Sequence, residues 1–307
     1  MQIKFRHVRT FLEVARTGAI GKAASVLNVS QPAVTRTVRE LEEALGAAVI
    51  EPDGRGIRLT AAGEEFRRHA GASLAALRQG VDAVRAAGTE AEQPLRVGAL
   101  PTVSARVMPG AVRKYLADVP GGRLKIVTGE NAVLLDQLSS GSLDLVVGRL
   151  ASPERMVGFT FEHLYSEQVL FVVRAGHPLL GRAPFDIAEM ANFPMVMPTT
   201  TAIIRPYVDR FLIAHGLPDP GARIESVSDS FGRVFVRDSD AVWAISEGVV
   251  IGDIAAGALA ALPIDTSETR GAVGITLRAD TERASSMPAL IRAIRAAAPQ
   301  PAAAGAQ

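Results

Sequence analysis

Within the run that holds Ser30, Gln31, Pro32, Ala33, Thr35, Arg36 and Arg39, the residues Gln31, Thr35, Arg36 and Arg39 place amide, hydroxyl and guanidinium groups on one side of a helical repeat. Such groups read nucleic acid. A glutamine amide matches adenine, and an arginine fork matches guanine or a phosphate. Val34, Val38, Leu41 and Leu45 recur on the opposite side as a stripe that would anchor the helix to a core. Ser30 suits an N-cap and Pro32 is tolerated in a first turn, so a helix is predicted to start here. Its free backbone N–H groups could then take a phosphate.

The elements that must position this face lie on either side of it. Phe5, Val8, Phe11, Leu12 and Ala15 form a helical stripe that Gly18 ends. A second short helix is predicted over Gly21 to Asn28, with Ala23 and Ala24 small enough for close packing and Val29 in the turn. Two helices joined by a tight turn, the second polar and basic outside, fit a helix-turn-helix. Glu51 to Leu59 reads as a hairpin whose tip carries Arg55 and Arg58 toward backbone or minor groove. Spacing alone also fits a plain three-helix bundle with solvated arginines. Residues 1–60 hold nine Lys/Arg against six Asp/Glu, a net +3 in a chain of net +1, which weakly favours a polyanion partner.

Composition excludes several classes. With 48% hydrophobic residues over 307 positions, two sizeable cores are possible and wholesale disorder is not expected. The chain has no cysteine, so disulfides and thiolate metal sites are excluded. The polar start (Met1 to His7) has no signal-peptide core, and no apolar run is long enough for a membrane span, so a cytoplasmic protein is expected. There is no H-E-x-x-H, no G-x-S-x-G and no Walker loop, and the five histidines are scattered without ligand spacing. Nothing calls for an enzyme, a metal or a cofactor, although dispersed acids could still converge in space.

The string AASVLNVSQPAVTRTVRELE at residues 23–42, followed by LTAAGE at 59–64, closely resembles the signature of the LysR family of transcriptional regulators. That resemblance implies a winged helix-turn-helix, a long linker helix and a two-lobed α/β effector domain like a periplasmic binding protein. It places Ser30, Gln31, Pro32, Thr35 and Arg36 at the DNA face and Arg55 on the wing. Pro52 departs from the pattern, standing where many members keep a basic residue. The partners it implies are double-stranded operator DNA, RNA polymerase and a second copy in a homodimer or homotetramer. The expected domains are 1–60 (DNA-binding), 61–93 (linker helix and hinge) and 94–299 (effector-binding), with a disordered tail at 300–307.

In the linker, Ala70, Leu74, Leu77, Val81, Val84 and Gly88 follow heptad spacing. Leu74, Leu77, Val81 and Val84 are the predicted dimer seam, unless the same face packs on its own domain. Beyond the polar break ending at Pro94, strands are predicted at Leu95–Ala99, Leu124–Thr128, Leu143–Val147, Val169–Arg174, Met195–Met197, Ile224–Val227, Ala241–Ala244 and Val273–Arg278. Helical patterns between them point to parallel sheet. Lobe one is expected at 95–165 plus 268–298 and lobe two at 166–267.

Ligands in such folds lie at the carboxyl ends of strands and at helix N-termini. Thr102, Ser104, Asn131, Arg149, Thr199, Thr200, Thr201 and Ser228 fit that rule as effector contacts. Hydroxyls with one arginine suit a carboxylate or a polyhydroxylated ligand, while each Ser or Thr taken singly also suits a helix cap. The runs VGALPTVSARVMP (97–109), TGENAVLL (128–135), DLVVGRLA (144–151) and HLYSE (163–167) resemble LysR activators of protocatechuate catabolism. This implies a carboxymuconate-type effector of the β-ketoadipate pathway. Galactose-type regulators share part of the same text, and a solute-binding protein for transport is the remote alternative.

Overall fold

The computed structural model describes residues 3–54, 56–86, 94–182, 184–217, 223–279 and 286–299. The chain divides into two compact units. The first holds residues up to Gln93 together with Leu135–Asp144 and a short piece near Arg278, and the second holds the rest.

The first unit opens with α1 (Phe5–Thr17), α2 (Ile20–Leu27) and α3 (Gln31–Leu45), followed by the hairpin β1 (Ile50–Asp53) and β2 (Gly56–Leu59) and the long α4 (Ala61–Ala86). Of the predicted α1 stripe, Phe11 is fully buried and Val8 and Leu12 pack partly buried against the same core, while Phe5 is about half exposed; His7 and Val14 are buried beside them. His7, a polar residue at a core position, extends the stripe by one turn without an apolar signal. Asn28 closes α2 in the left-handed conformation (φ 54°), which an asparagine tolerates better than most residues, and so makes the turn. Phe11, Val14, Ala23, Ala24, Val34, Val38, Leu41 and Val49 form one core, with Phe66 of α4 edge-on to Phe11. Thr60 caps α4 by accepting the Gly63 N–H at 3.0 Å.

The predicted seam divides along α4. Ala70 and Leu74 are buried, and Ala70 belongs to the core just described. Leu77 (51%), Val81 (43%) and Val84 (76%) are exposed. Leu74 is thus buried within one copy, on the stretch of α4 where Gly71 lies against Ser139 and Ala75 against Gly141 of the same unit. Gly88, the break at 89–93, Arg55 and the tail at 300–307 lie outside the described residues.

The second unit contains two five-stranded sheets. One is ordered β4 (Leu124–Thr128), β3 (Leu95–Ala99), β5 (Leu145–Arg149), β12 (Gly271–Arg278) and β6 (Phe159–Glu167). The other is ordered β11 (Leu259–Ala261), β7 (Val169–Arg174), β10 (Val242–Ser246), β8 (Met195–Met197) and β9 (Arg223–Glu225). The helices are α5 (Pro101–Arg106), α6 (Met108–Asp118), α7 (Asn131–Ser139), α8 (Arg205–Ala214), α9 (Asp229–Arg237), α10 (Glu247–Ala255) and α11 (Met287–Ala297).

The sheets are mixed, not parallel throughout. β3 pairs in parallel with β4 and β5, and β8 with β9 and β10. β12 runs antiparallel to β5, and β7 antiparallel to β10 and β11. The chain enters one sheet directly from the other at β7 and at β12, so these strands arrive from the opposite end. Sequence reading missed β6 and β11, which are edge strands. β6 alternates Thr160, Glu162 and Ser166 with larger residues, and β11 has only three residues, so neither gives a strong apolar run. Among the described residues, no helix is long and apolar enough to cross a membrane.

Candidate functional site

The first candidate surface is the outer face of α3. Ser30 caps the helix, its hydroxyl accepting the Ala33 N–H at 3.4 Å. Gln31, Pro32, Thr35, Arg36, Arg39, Glu40 and Glu43 line an open groove along it. Arg36 is largely exposed and pairs with Glu40 at 3.2 Å. On the hairpin, Arg58 faces Glu51 across the two strands at 2.9 Å. Of the residues predicted for this face, Gln31, Pro32, Thr35, Arg36 and Arg39 line the groove and Ser30 caps its helix, whereas Ala33 is not in the lining and Arg58 lies on the hairpin. The groove's two acids were left out of that prediction, since carboxylates do not announce themselves as DNA contacts.

The second candidate is a cavity of about 230 Å³ in the second unit. Its walls come from the turns where strands give way to helices. Leu100–Thr102 follow β3, Thr128–Asn131 follow β4, and Arg149 ends β5. Pro198 and Ala202–Ile204 follow β8, Ser226–Val227 and Asp229 follow β9, and Ser246 ends β10. Carboxyl ends of strands and amino ends of helices converge here, the position at which such folds bind ligands.

Of the predicted contacts, Thr102, Asn131 and Arg149 line the cavity. Ser104 instead shares a hydrogen bond with Thr128 (2.9 Å). Thr199 and Thr201 donate to Glu130 at 3.2 and 2.9 Å, so they brace a lining residue without lining the cavity. Thr200 is exposed and lies outside the lining. Ser228 serves as the N-cap of α9, accepting the Phe231 N–H at 3.2 Å. β9 ends at Glu225, two residues before the predicted end at Val227, so the strand-end position falls on Ser226 and not on Ser228. Ser246 could have been found by applying the strand-end rule to β10. Glu130 and Asp229 carry no such signal.

The polar interior is unusual electrostatically. Asn131 donates to the Arg149 carbonyl at 3.1 Å, tying α7 to the end of β5. The Arg149 guanidinium is 2% exposed, stacked on the Tyr207 ring at 4.4 Å, and donates to the Thr269 carbonyl. Its Nε and Nη1 have no hydrogen-bond partner among the described residues. Burial pulls its pKa down, an effect opposed by Tyr207 and Glu167. A Cβ at Gly271 would overlap this guanidinium, so any other residue there would displace it.

Behind Thr102 lies Glu167, which sequence reading also missed. It is 1% exposed and accepts the Thr102 hydroxyl at 2.8 Å through Oε2, while Oε1 has no partner among the described residues. Burial pushes its pKa up, against the opposing pull of Thr102 and then of Arg149 and Arg106. Gly248 packs so closely over this pair that a Cβ there would meet both side chains. Asp229, at the cavity wall, is also pushed up by burial, with Arg233 opposing.

Two family models match the chain. Residues 5–64 match the bacterial regulatory helix-turn-helix of the lysR family, and residues 88–299 match the LysR substrate binding domain. The chain is 58% identical to the HTH-type transcriptional regulator PcaQ of Agrobacterium fabrum, covering 97% of this chain and 96% of that one. It is 27% identical to the HTH-type transcriptional regulator GalR of Pseudomonas putida, over 94% of this chain and 73% of the other. Among solved structures, full-length OxyR of Pseudomonas aeruginosa aligns with a TM-score of 0.55 at 25% identity, covering 95% of this chain and all of that one.

Proposed function

The chain belongs to the LysR family of transcriptional regulators, and from that premise we propose that it senses a carboxymuconate-type acid of protocatechuate breakdown and activates the genes of that pathway. The near full-length likeness to PcaQ carries this reading, and the weaker likeness to GalR leaves the galactose alternative with less support. The cavity agrees in chemistry. A buried guanidinium whose Nε and Nη1 have no hydrogen-bond partner among the described residues favours an anion, and Thr102, Asn131 and Ser246 add neutral polar groups to the wall of the same cavity.

In this reading the DNA face is Ser30, Gln31, Pro32, Ala33, Thr35, Arg36 and Arg39, with Arg55 and Arg58 on the wing. The effector contacts are Thr102, Asn131 and Arg149 together with Ser226 and Ser246. The protein works in the cytoplasm as a homodimer or homotetramer, regulating through RNA polymerase and not through catalysis. An effector shifts such a regulator only by binding its two states with different affinity.

The test is a thermal titration of the full-length protein with carboxymuconate, protocatechuate and galactose. A ligand that binds only the native state raises the melting temperature. A rise with carboxymuconate alone is expected, and a rise with galactose alone would overturn the pathway reading. For the DNA face, Arg36→Ala is expected to weaken operator binding by about 1–3 kcal/mol.

A further inference from the structure

Glu40 is the meeting point of three donors. Its Oε2 takes Arg6 at 2.7 Å and His7 Nε2 at 3.2 Å, both from α1, and its Oε1 takes Arg36 Nε at 3.2 Å from the preceding turn of α3. His7 is 4% exposed and its other ring nitrogen accepts the Lys4 backbone N–H at 3.3 Å, so this ring is fixed in the core beneath the carboxylate. Arg6, followed by His7 and Arg36, holds the Glu40 carboxyl below its ordinary pKa.

This arrangement is not what the helix alone would favour. An acid N-terminal to a base at i,i+4 is the better order, and here Arg36 precedes Glu40. The carboxylate is held instead by the two donors of α1. It presents a pre-set acceptor to Arg36, whose side chain is 82% exposed and otherwise free to sample many rotamers. Glu40 also lines the same groove as Gln31, Thr35 and Arg39. It is therefore a fixed negative charge where phosphates would approach.

We propose that Glu40 is a specificity-determining positioning residue of the DNA interface. It aims the Arg36 guanidinium along the groove and opposes binding to DNA that offers only backbone phosphate. The inference rests on the proposed DNA face. Sequence is read by base-edge contacts, whereas phosphate contacts are shared by all DNA. A tethered arginine that must meet a base edge gains on the operator and not elsewhere, and the negative charge that Glu40 adds to the groove weakens phosphate contact with every duplex.

The experiment measures the affinity of the full-length protein for two duplexes of equal length at fixed salt. One is an operator selected from random sequence by the wild-type protein, and the other is poly(dI-dC). Glu40→Gln and Glu40→Asp are both expected to lower the ratio of the two affinities roughly tenfold, since the shorter acid keeps the charge but cannot span the three donors. Glu43→Gln, which removes one charge from the same groove, should raise both affinities in step. In an Arg36→Ala background, Glu40→Gln should leave the ratio unchanged.

Equal effects of Glu40→Gln on both duplexes, or wild-type behaviour of Glu40→Asp, would reduce Glu40 to a plain charge and overturn the proposal. A fall in the ratio that persists without Arg36 would overturn it too, by showing action through α1 alone. Wild-type operator affinity in Arg36→Ala by itself would instead refute the assignment of this helix face, and the inference with it.

Discussion

Arg149, at the end of β5, holds its guanidinium 4.4 Å from the centre of the Tyr207 ring, which belongs to the first turn of α8. The two residues come from the two different sheet systems of the second unit. A desolvated cation over an aromatic face is worth about 2 kcal/mol. Tyr207→Leu is expected to lower stability by about that amount in urea unfolding, and Tyr207→Phe by clearly less, because phenylalanine keeps the ring face. Equal losses in the two variants would assign the contribution to the tyrosine hydroxyl instead.

Glu167 sets a pH dependence whose sign can be worked out. Its folded pKa is raised by burial, so the folded state binds the proton more tightly than the unfolded chain does. The buried carboxylate therefore destabilises the fold at neutral pH. That penalty fades as pH falls through the folded pKa and is gone below the unfolded value of about 4.3. Glu167→Gln keeps an acceptor for the Thr102 hydroxyl and removes the charge. Thermal melts should show it more stable than wild type at pH 7, with the advantage shrinking toward pH 4.5. A constant difference across that range would mean Glu167 keeps an ordinary pKa.

Much of this is legible in the sequence. The α3 stripe of Val34, Val38 and Leu41 and its polar outer face follow from a 3.6-residue period, and the strands with continuous apolar runs, such as Val169–Val173 within β7, stand out by composition. The burial of His7 on α1 was not legible, because it sits where an apolar residue is expected and satisfies itself through Lys4 and Glu40. Nor was the buried environment of Arg149. The residues that enclose it, Tyr207, Thr269 and Gly271, are distant in sequence and brought together only by the crossing between sheets. Thr102, Asn131 and Arg149 reached the cavity because each sits directly at a strand end. Thr199, Thr201 and Ser228 were spent on bracing and capping, roles that sequence cannot tell from ligand contact.

Thr102 lies between the cavity and Glu167, and its hydroxyl donates inward. Thr102→Ala leaves Glu167 without that donor and changes the cavity wall, yet lies far in sequence from the α3 face. Operator affinity without effector should match wild type in a gel-shift titration, while the effector concentration for half-response rises at least about tenfold, the equivalent of 1.4 kcal/mol. An unchanged dose-response would remove Thr102 from the effector site.

The exposed stripe of α4 gives a separate test of assembly. Leu77, Val81 and Val84 are spaced four and three residues apart and remain largely in solvent, whereas Leu74 on the same heptad line is buried in its own unit. Covering one such side chain in an interface stabilises association by about 1.5–3 kcal/mol. Replacing Leu77 and Val81 together with lysine should therefore raise the dimer Kd by roughly a hundredfold or more. Sedimentation equilibrium would show the shift, with the thermal melt of the isolated chain little changed. Leu74→Ala should do the reverse. It should cost about 2–5 kcal/mol of fold stability through the cavity it leaves, with the subunit equilibrium less affected. If the double lysine variant stays a dimer at wild-type concentrations, the seam lies on another surface. If Leu74→Ala instead dissociates a well-folded chain, the seam extends further toward the DNA-binding helices than burial within one copy indicates.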